Sequence, residues 1–301
     1  MDIKKWQGCI LLLLAQLMVA SCIVGGKHLL TFMPPAIILL IRFSVASIIL
    51  FPVFLATEKG ALAQLWKVSR TDWLYIATQA ILAGFLVNIL LLFGLHHTTA
   101  SVAGIIWSAL PAVVVVVSVF FLKEKIDLYT SLCVVFAIAG LLVVKMHSFH
   151  LGGTSHFYGD LLVFLSLFSE AAYYVMSKYR ENKLPVFLVS CLMNVINVPL
   201  LLVYVFLFHQ DFSLHSIVAH AETLMVVSLG SALFYVFWFL GCDAVSASLS
   251  GLIAAFMPVA VVVLACIFLG ETISVFQLAG MLLVMGSIGV SALKHVGRKL
   301  G

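Results

Sequence analysis

Long apolar runs recur along this chain, and they limit its possible folds more than any other feature. A helix needs about 20 apolar residues to cross roughly 30 Å of hydrocarbon. Hydrophobic residues make up 64% of the chain and charged residues 9%, against about 45–50% and 25% in soluble domains. We therefore predict an all-α polytopic membrane protein. Cut at charges, prolines and polar clusters, the sequence holds ten spans: 7–26, 35–55, 73–93, 97–121, 128–145, 158–178, 186–208, 223–241, 246–269 and 275–293.

The basic residues predict how the chain is oriented, because cytoplasmic loops carry an excess of Lys and Arg. With the N-terminus inside, only Lys27 and Lys145 fall in outer loops. Both termini are therefore expected in the cytoplasm, and the short loops favour a bacterial inner membrane. The net charge of +4 follows from this topology and indicates no nucleic-acid partner. The cytoplasmic loops hold Lys4, Lys5, Lys59, Lys67, Arg70, Lys123, Lys125, Lys178, Arg180, Lys183, Lys294, Arg298 and Lys299.

Two matching segments place a proline inside an apolar run, where it costs a helix about 3 kcal/mol. They are "GIIWSALPAVVVVVSVFFLKE" at 104–124, around Pro111, and "GLIAAFMPVAVVVLACIFLGE" at 251–271, around Pro258. The offset between the prolines is 258 − 111 = 147, and the second half repeats the first. The same offset pairs Gly94 with Gly241, Ala100 with Ala247, Ser101 with Ser248, Gly104 with Gly251, Glu124 with Glu271, and Pro52 with Pro199; a slightly larger offset of 151 pairs Gly8 with Gly159, Lys27 with Lys178, and Pro34 with Pro185.

Each copy has five spans, so the second enters the membrane from the opposite side. We predict two inverted five-helix repeats, at 1–150 and 151–301, related by a pseudo-twofold axis in the membrane plane. Inverted repeats are typical of secondary transporters, whose substrate site lies near the midplane where the halves meet. Interrupted helices in corresponding positions of both halves point to that site, and the two prolines fit this description.

The residues also resemble a known family. "ASVAGIIWSALPAVVVVVSVFFLKEKI" and "ASLSGLIAAFMPVAVVVLACIFLGETI" are similar to the EamA-type signature of the drug/metabolite transporter superfamily, and "LIRF" at 40–43 is similar to its second-helix arginine motif. The resemblance implies ten helices around a central cavity lined by helices one, three, four, six, eight and nine. It also implies transport by alternating access, with export of amino acids or related amphipathic compounds.

Glu170 lies near the middle of the sixth predicted span. A charge at the bilayer centre costs roughly 2.5–3.5 kcal/mol even on lenient scales, so this side chain should face the bundle interior, be protonated or be paired. Two interpretations stay open. Glu170 contacts a substrate amine or couples transport to protons, or it is a carboxyl group that fixes helix packing.

Three further charged residues are candidates for structural or gating roles. Arg42 lies about 10 Å into the second span, where it can meet an anion, pair with a carboxylate, or reach the interface as an anchor. Glu124 and Glu271 end the two proline segments at equivalent positions. Each is expected to cap or salt-bridge a neighbouring helix terminus, with gating as the alternative.

Aromatic and amide side chains form the expected lining of the cavity, since small-molecule sites combine apolar walls with a few placed polar groups. Trp107 precedes Pro111 by four residues and shares its helix face. Tyr173 and Tyr174 follow Glu170 closely enough to share its face. The predicted substrate-binding set is Gln16, Asn88, Trp107, Glu170, Tyr173, Tyr174, Tyr235 and Trp238.

The leading hypothesis is a secondary transporter of small organic metabolites, possessing no cofactor, with protons as a candidate coupling ion and membrane lipids as its surroundings. The alternative cargo is a nucleotide-like anion, a nucleoside, or a lipid or sugar conjugate. An intramembrane enzyme is a remote third reading, because no nucleophile–base pair or paired-carboxylate motif is present. His96, His97, His147, His150 and His156 cluster on the outer side without the spacing of a metal site, and the six cysteines form no C-x-x-C pair.

Overall fold

The computed structural model describes residues 3–57, 68–122, 128–150, 154–178, 186–208, 213–245, 253 and 256–286. In these ranges the chain is helical apart from short turns and caps, and they contain no strand. The helices are α1 (Ile3–Leu29), α2 (Pro35–Thr57), α3 (Arg70–Gln79), a π-helical segment (Ala80–Leu86), α4 (Val87–His97), α5 (Ala100–Trp107), α6 (Leu110–Leu122), α7 (Leu128–His150), α8 (Thr154–Lys178), α9 (Val186–Leu207), α10 (Leu214–Ala219), α11 (Ala221–Ala244), α12 (Phe256–Leu269) and α13 (Val275–Gly286).

By length and apolarity, five of the described helical stretches can cross a membrane, or six if the bent pair α5–α6 counts as one span. The protein is thus a polytopic membrane protein, and the arrangement of ten spans stays a prediction. The five stretches are Trp6–Leu29, Pro35–Thr57, Arg70–His97, Phe187–Leu207 and Ala221–Trp238. Three shorter apolar helices lie at Val134–Val143, Phe256–Leu269 and Val275–Gly286.

The third stretch, Arg70–His97, joins α3, the π-helical segment and α4 without a break. A capping box starts it: the Ser69 hydroxyl accepts from the Asp72 N–H, and the Asp72 carboxylate accepts from the Ser69 N–H. Both contacts satisfy backbone donors that a helix start leaves open. The chain leaves the helix at Thr98, which is extended.

The helix containing Pro111 is interrupted, as the sequence predicts. α5 and α6 are bent by 42° at a break of two residues. Pro111 has no N–H to donate to the Trp107 carbonyl, which removes one bond of a continuous helix. The neighbouring bonds tighten to three-residue spacing, with Ala109 N–H donating to Ile106 and Ala112 N–H donating to Ala109. Pro258 is the third residue of α12, and most of the segment before it lies outside the described residues.

Helices from the two halves of the chain pack against each other. α1 packs on α11, α2 on α9, α4 on α8, and α5 on α12. Two of these crossings bring glycines together. A Cβ atom added to Gly8 would lie 3.2 Å from the Gly241 carbonyl oxygen, and one added to Gly94 would lie 2.8 Å from the Gly159 carbonyl oxygen. Small residues allow such close approach between helices in a membrane.

Most buried apolar side chains of the described residues belong to one cluster that runs through the bundle from α1 to α13. A second, smaller cluster lies where α2, α3 and α9 meet, around Leu50, Phe54 and Leu188. Large apolar side chains also lie on the outside; Phe120 and Phe206 are 78% and 79% exposed. Such extensive apolar surface is expected where helices face lipid.

Candidate functional site

A cavity of about 240 Å³ lies between the two halves of the chain. We call it the central cavity. Its walls come from α1, α2, the third stretch, the α5–α6 break, α8, α11 and α12. Eight of the predicted residues line it: Gln16, Arg42, Asn88, Trp107, Pro111, Glu170, Trp238 and Pro258.

The remaining predicted residues lie elsewhere or cannot be placed. Tyr173 is not among the lining residues; its side chain packs against the second apolar cluster, and its role in substrate binding stays a prediction. Glu271 contacts a helix end away from the cavity. Glu124 and the side chains of Tyr174 and Tyr235 lie outside the described residues.

Arg42 and Asn88 form the polar contact between α2 and the third stretch. The Arg42 guanidinium donates from Nη2 to Asn88 Oδ1 at 2.5 Å. The Asn88 amide nitrogen donates in turn to the Gly84 carbonyl at 2.6 Å and to the Ala83 carbonyl at 3.2 Å. The Asn88 amide therefore both accepts from Arg42 and donates to backbone carbonyls of the π-helical segment. It holds the guanidinium beside that segment.

The α5–α6 break contributes polar groups that a regular helix would hide. The Trp107 indole N–H is buried and has no acceptor among the described residues. Pro111 leaves the Trp107 carbonyl without its helical donor, and Ala112, the helical donor for Ser108, donates to Ala109 instead. A buried donor without a partner costs about 1–3 kcal/mol. The break therefore places the indole donor and two carbonyls without their helical donors in residues that line the cavity.

Glu170 supplies the acidic group of the central cavity. It is only partly buried because its side chain faces the void. Arg42 belongs to the first half of the chain and Glu170 to the second. Among the described lining residues they are the one base and the one acid, and most of the others are apolar or aromatic. Such a lining suits a solute with apolar bulk and charged or polar ends.

Polar contacts tie several helices together at the end of the bundle where α1 stops. The Glu271 carboxylate accepts from the backbone N–H groups of Ala100 at 2.7 Å and Ser101 at 2.9 Å. The expected capping role is therefore present for Glu271. Lys27 donates to the Leu95 carbonyl at 2.6 Å and lies close enough to Glu271 for the two charges to interact. Ala100 and Ser101 are the first residues of α5, and a carboxylate at a helix N-terminus is stabilised by the helix dipole.

A buried hydrogen bond adds to the same end. Thr98 Oγ1 donates to Asp160 Oδ1 at 2.5 Å, and both residues are buried. It links the turn before α5 to the start of α8. The bond was not predicted, because no sequence pattern relates two residues that are 62 positions apart.

Sequence reasoning also missed several lining residues. Ser108, Ser231, Phe234 and Met257 line the central cavity. Ser108 carried a usable signal, since it lies inside the interrupted turn. Ser231 and Phe234 share a helix face with Trp238 at helical spacing, which would have suggested them once Trp238 was chosen.

These features define a class of protein: a polytopic helical membrane protein whose interrupted helix lines an internal cavity. The EamA-like transporter family matches residues 6–146 and again residues 157–293. The chain belongs to this family. Membership implies a transporter of small molecules.

Several proteins are similar over almost the whole chain. The uncharacterized transporter YetK of Bacillus subtilis (strain 168) is 27% identical, over 97% of this chain and 89% of its own. An uncharacterized transporter of Archaeoglobus fulgidus is 24% identical, over 97% of this chain and 100% of its own. A crystal structure of another protein matches with a TM-score of 0.62 at 17% identity, covering 99% of this chain and 97% of that one. At this identity the structural likeness concerns the fold alone.

Proposed function

We propose that this protein is a secondary transporter that moves a small organic metabolite through the central cavity by alternating access. The observation that carries the proposal is the cavity itself. One internal void brings together the two repeated prolines, Pro111 and Pro258, with the membrane-embedded charges Arg42 and Glu170. Charged side chains that only fixed the packing of helices would need no void between them. A transporter needs one, because its solute binds between the two halves.

The size of the cavity favours a small cargo. Pockets for drug-sized ligands measure about 300–1,000 Å³, and this one measures about 240 Å³. An amino acid or a related amphipathic compound suits that volume better than a nucleotide-like anion or a lipid or sugar conjugate. A multiply charged anion would also need several bases, and among the described lining residues Arg42 is the only one.

The packing between halves supports two inverted repeats. The repeat pairs Gly8 with Gly159 and Gly94 with Gly241, so the crossing of Gly8 with Gly241 corresponds to that of Gly159 with Gly94. Both crossings are close glycine contacts, between α1 and α11 and between α8 and α4. A pseudo-twofold axis relating ten spans as five plus five would produce these paired contacts.

The proposed orientation puts both termini in the cytoplasm of a bacterial inner membrane. Single cysteines introduced by Lys59→Cys and Thr272→Cys, in a background without native cysteines, should then react with an impermeant thiol reagent from opposite sides. Labelling of both from one side would contradict the inverted topology. Residue 272 is exposed next to Glu271, so the reagent can reach that position.

The cargo is found by binding first and transport second. Purified protein is screened by thermal shift against amino acids, amines, nucleosides and nucleotides, and each hit is tested for counterflow in liposomes. We expect stabilisation and counterflow with small amphipathic compounds. Hits confined to nucleotides would favour the alternative cargo, and consumption of a compound without a membrane barrier would favour an enzyme.

Glu170 is the proposed coupling carboxylate if protons drive transport. Glu170→Gln removes the titratable group and keeps the side-chain volume. It should abolish uptake driven by a proton gradient while leaving counterflow. The matched control is Glu222→Gln, which changes an exposed acid at the start of α11 and should leave both assays unchanged. If the Glu170→Gln variant still shows uptake driven by a proton gradient, Glu170 does not couple transport to protons.

A further inference from the structure

A second, larger void lies on the opposite side of the α5–α6 break from the central cavity. We call it the lateral cleft; its volume is about 510 Å³, and α5, α6, α7 and α8 form its walls. Asp160 is its polar lining residue, and that carboxylate already accepts from Thr98. The other lining side chains are aliphatic or aromatic. Among the described lining residues Asp160 is therefore the one polar group that a solute in the cleft could meet.

The mouth of the cleft is covered by apolar side chains that remain exposed. Ile138 and Leu142 of α7 are 53% and 61% exposed, and Phe157 of α8 is 56% exposed. In a membrane protein such a surface meets hydrocarbon, not water. The material available to fill the cleft is therefore an alkyl chain of the surrounding lipid.

The length and depth of the cleft fit one leaflet. Its α8 wall runs from Phe157 to Phe168, which is about 16 Å of helix at a rise of 1.5 Å per residue. The hydrocarbon core is roughly 30 Å thick, so this distance is about half of it. Polar and aromatic groups lie at one end of the cleft: Asp160 lines it, and Tyr158 lies close by with the His97 ring 5.5 Å from its own. Aromatic side chains with a polar group are typical of the membrane interface.

We propose that the lateral cleft binds one acyl chain of a membrane phospholipid, with the head group at the Asp160 end. The bound chain packs against Ile106, Ala109 and Val113, which lie directly behind the cavity-facing residues Trp107 and Pro111. It thereby supports the interrupted helix from the lipid side. This site is separate from the solute site, and binding there does not depend on which solute the protein carries.

The test is photolabelling with a phospholipid that carries a diazirine in the middle of one acyl chain. Full-length protein is reconstituted in phosphatidylethanolamine–phosphatidylglycerol vesicles, irradiated and digested for mass spectrometry. Label should concentrate in the cleft walls at 134–142 and 157–168. Equal labelling of every lipid-facing helix, for example at the exposed residues Val203 and Phe206, would overturn the proposal.

Two substitutions fill the cleft. Ala137→Phe places a ring at a buried lining residue, and Ile138→Trp enlarges a side chain at the exposed mouth, so that one variant should fold even if overpacking prevents the other. Each folded variant should lose label in the cleft walls by about tenfold, a factor equal to 1.4 kcal/mol of binding. Ala56→Phe, at an exposed position of α2, is the matched control and should keep the label.

Two results would contradict the acyl-chain assignment. Label that stays at 134–142 and 157–168 in both cleft variants would mean that the chain does not enter the void. Crosslinks between two copies of this protein through the same segments would mean that a second copy covers the cleft. Both results leave the transport proposal unaffected, because neither measurement uses a transported solute.

Discussion

Arg42 and Asn88 are joined by a 2.5 Å hydrogen bond from the guanidinium Nη2 to the amide Oδ1. The same amide donates to the Gly84 carbonyl in the π-helical segment. A π-helical turn widens the helix, and such turns are frequent at functional sites. Here it lies beside the central cavity, where Asn88 connects its backbone to the one basic group among the described lining residues.

Asn88→Leu keeps the size of this side chain and removes both its acceptor and its donor. The guanidinium loses one charged hydrogen bond, and the Gly84 carbonyl loses its side-chain donor. We expect the free energy of unfolding to fall by about 1–2 kcal/mol. This lies between the average for a side-chain hydrogen bond inside a membrane, about 0.6 kcal/mol, and the value for a hydrogen bond to a charged group, about 1.5–3 kcal/mol. Thermal unfolding in detergent measures the change. An unchanged midpoint would mean that other groups replace Asn88 fully.

Gly84→Ala tests the fit between the π-helical segment and α9. An added Cβ atom would clash with Asn197 Nδ2, and that nitrogen is buried and donates to the Met193 carbonyl. Overpacking of this kind costs about 1–3 kcal/mol, more than the gain of about 1 kcal/mol that alanine gives over glycine in a helix. The thermal midpoint should fall.

Two further variants check this explanation. Gly286→Ala is the matched control, because no atom of another described residue lies within 4 Å of its added Cβ, and it should leave stability unchanged or raise it. The double variant Gly84→Ala, Asn197→Ala should lose less stability than the sum of the single changes, since the clashing amide is gone. If the stability losses of the two single variants simply add in the double variant, the clash with Asn197 is not the cause of the loss in Gly84→Ala.

Pro111→Ala restores a backbone N–H that can serve the Trp107 carbonyl. Closing the break would stabilise the helix by up to about 3 kcal/mol and would remove the open turn from the cavity wall. We expect an equal or higher thermal midpoint together with a lower counterflow rate. Pro52→Ala is the control, since Pro52 lies inside α2 at an exposed position; its counterflow rate should not change. Full counterflow by Pro111→Ala would make the break dispensable.

Glu271→Gln tests the contact across the end of the bundle. The neutral amide keeps an acceptor for Ala100 but loses the charge that favours a helix N-terminus, an effect of about 0.3–1 kcal/mol at exposed sites and up to about 2 kcal/mol when partly buried. Thermal unfolding should show a loss near 1 kcal/mol. Glu222→Gln, in the exposed first turn of α11, should lose only a few tenths. Equal losses would assign no special role to Glu271.

The amino-acid sequence by itself determines the membrane class, the approximate helix positions and the place of the interruption. An apolar run of about 20 residues is long enough to span a membrane, and in lipid its backbone groups must be hydrogen-bonded within a helix. A proline lacks a backbone N–H in any fold, so it interrupts a helix wherever it lies inside one. The predicted second span, 35–55, is α2 at Pro35–Thr57. The predicted seventh span, 186–208, is α9 at Val186–Leu207.

Only the tertiary structure decides which side chains meet across the bundle. In a chain this apolar every helix face is hydrophobic, so periodicity does not tell a cavity wall from a packing face or a lipid face. For this reason the sequence does not predict that Tyr173 packs against the second apolar cluster, and it predicts neither the π-helical segment nor the Thr98–Asp160 bond. The repeated glycines were visible in the sequence, but the reason for them became clear when Gly8 was found against Gly241 and Gly94 against Gly159. Helix contacts in a membrane depend on shape and on single polar pairs, and these exist only once distant segments are packed together.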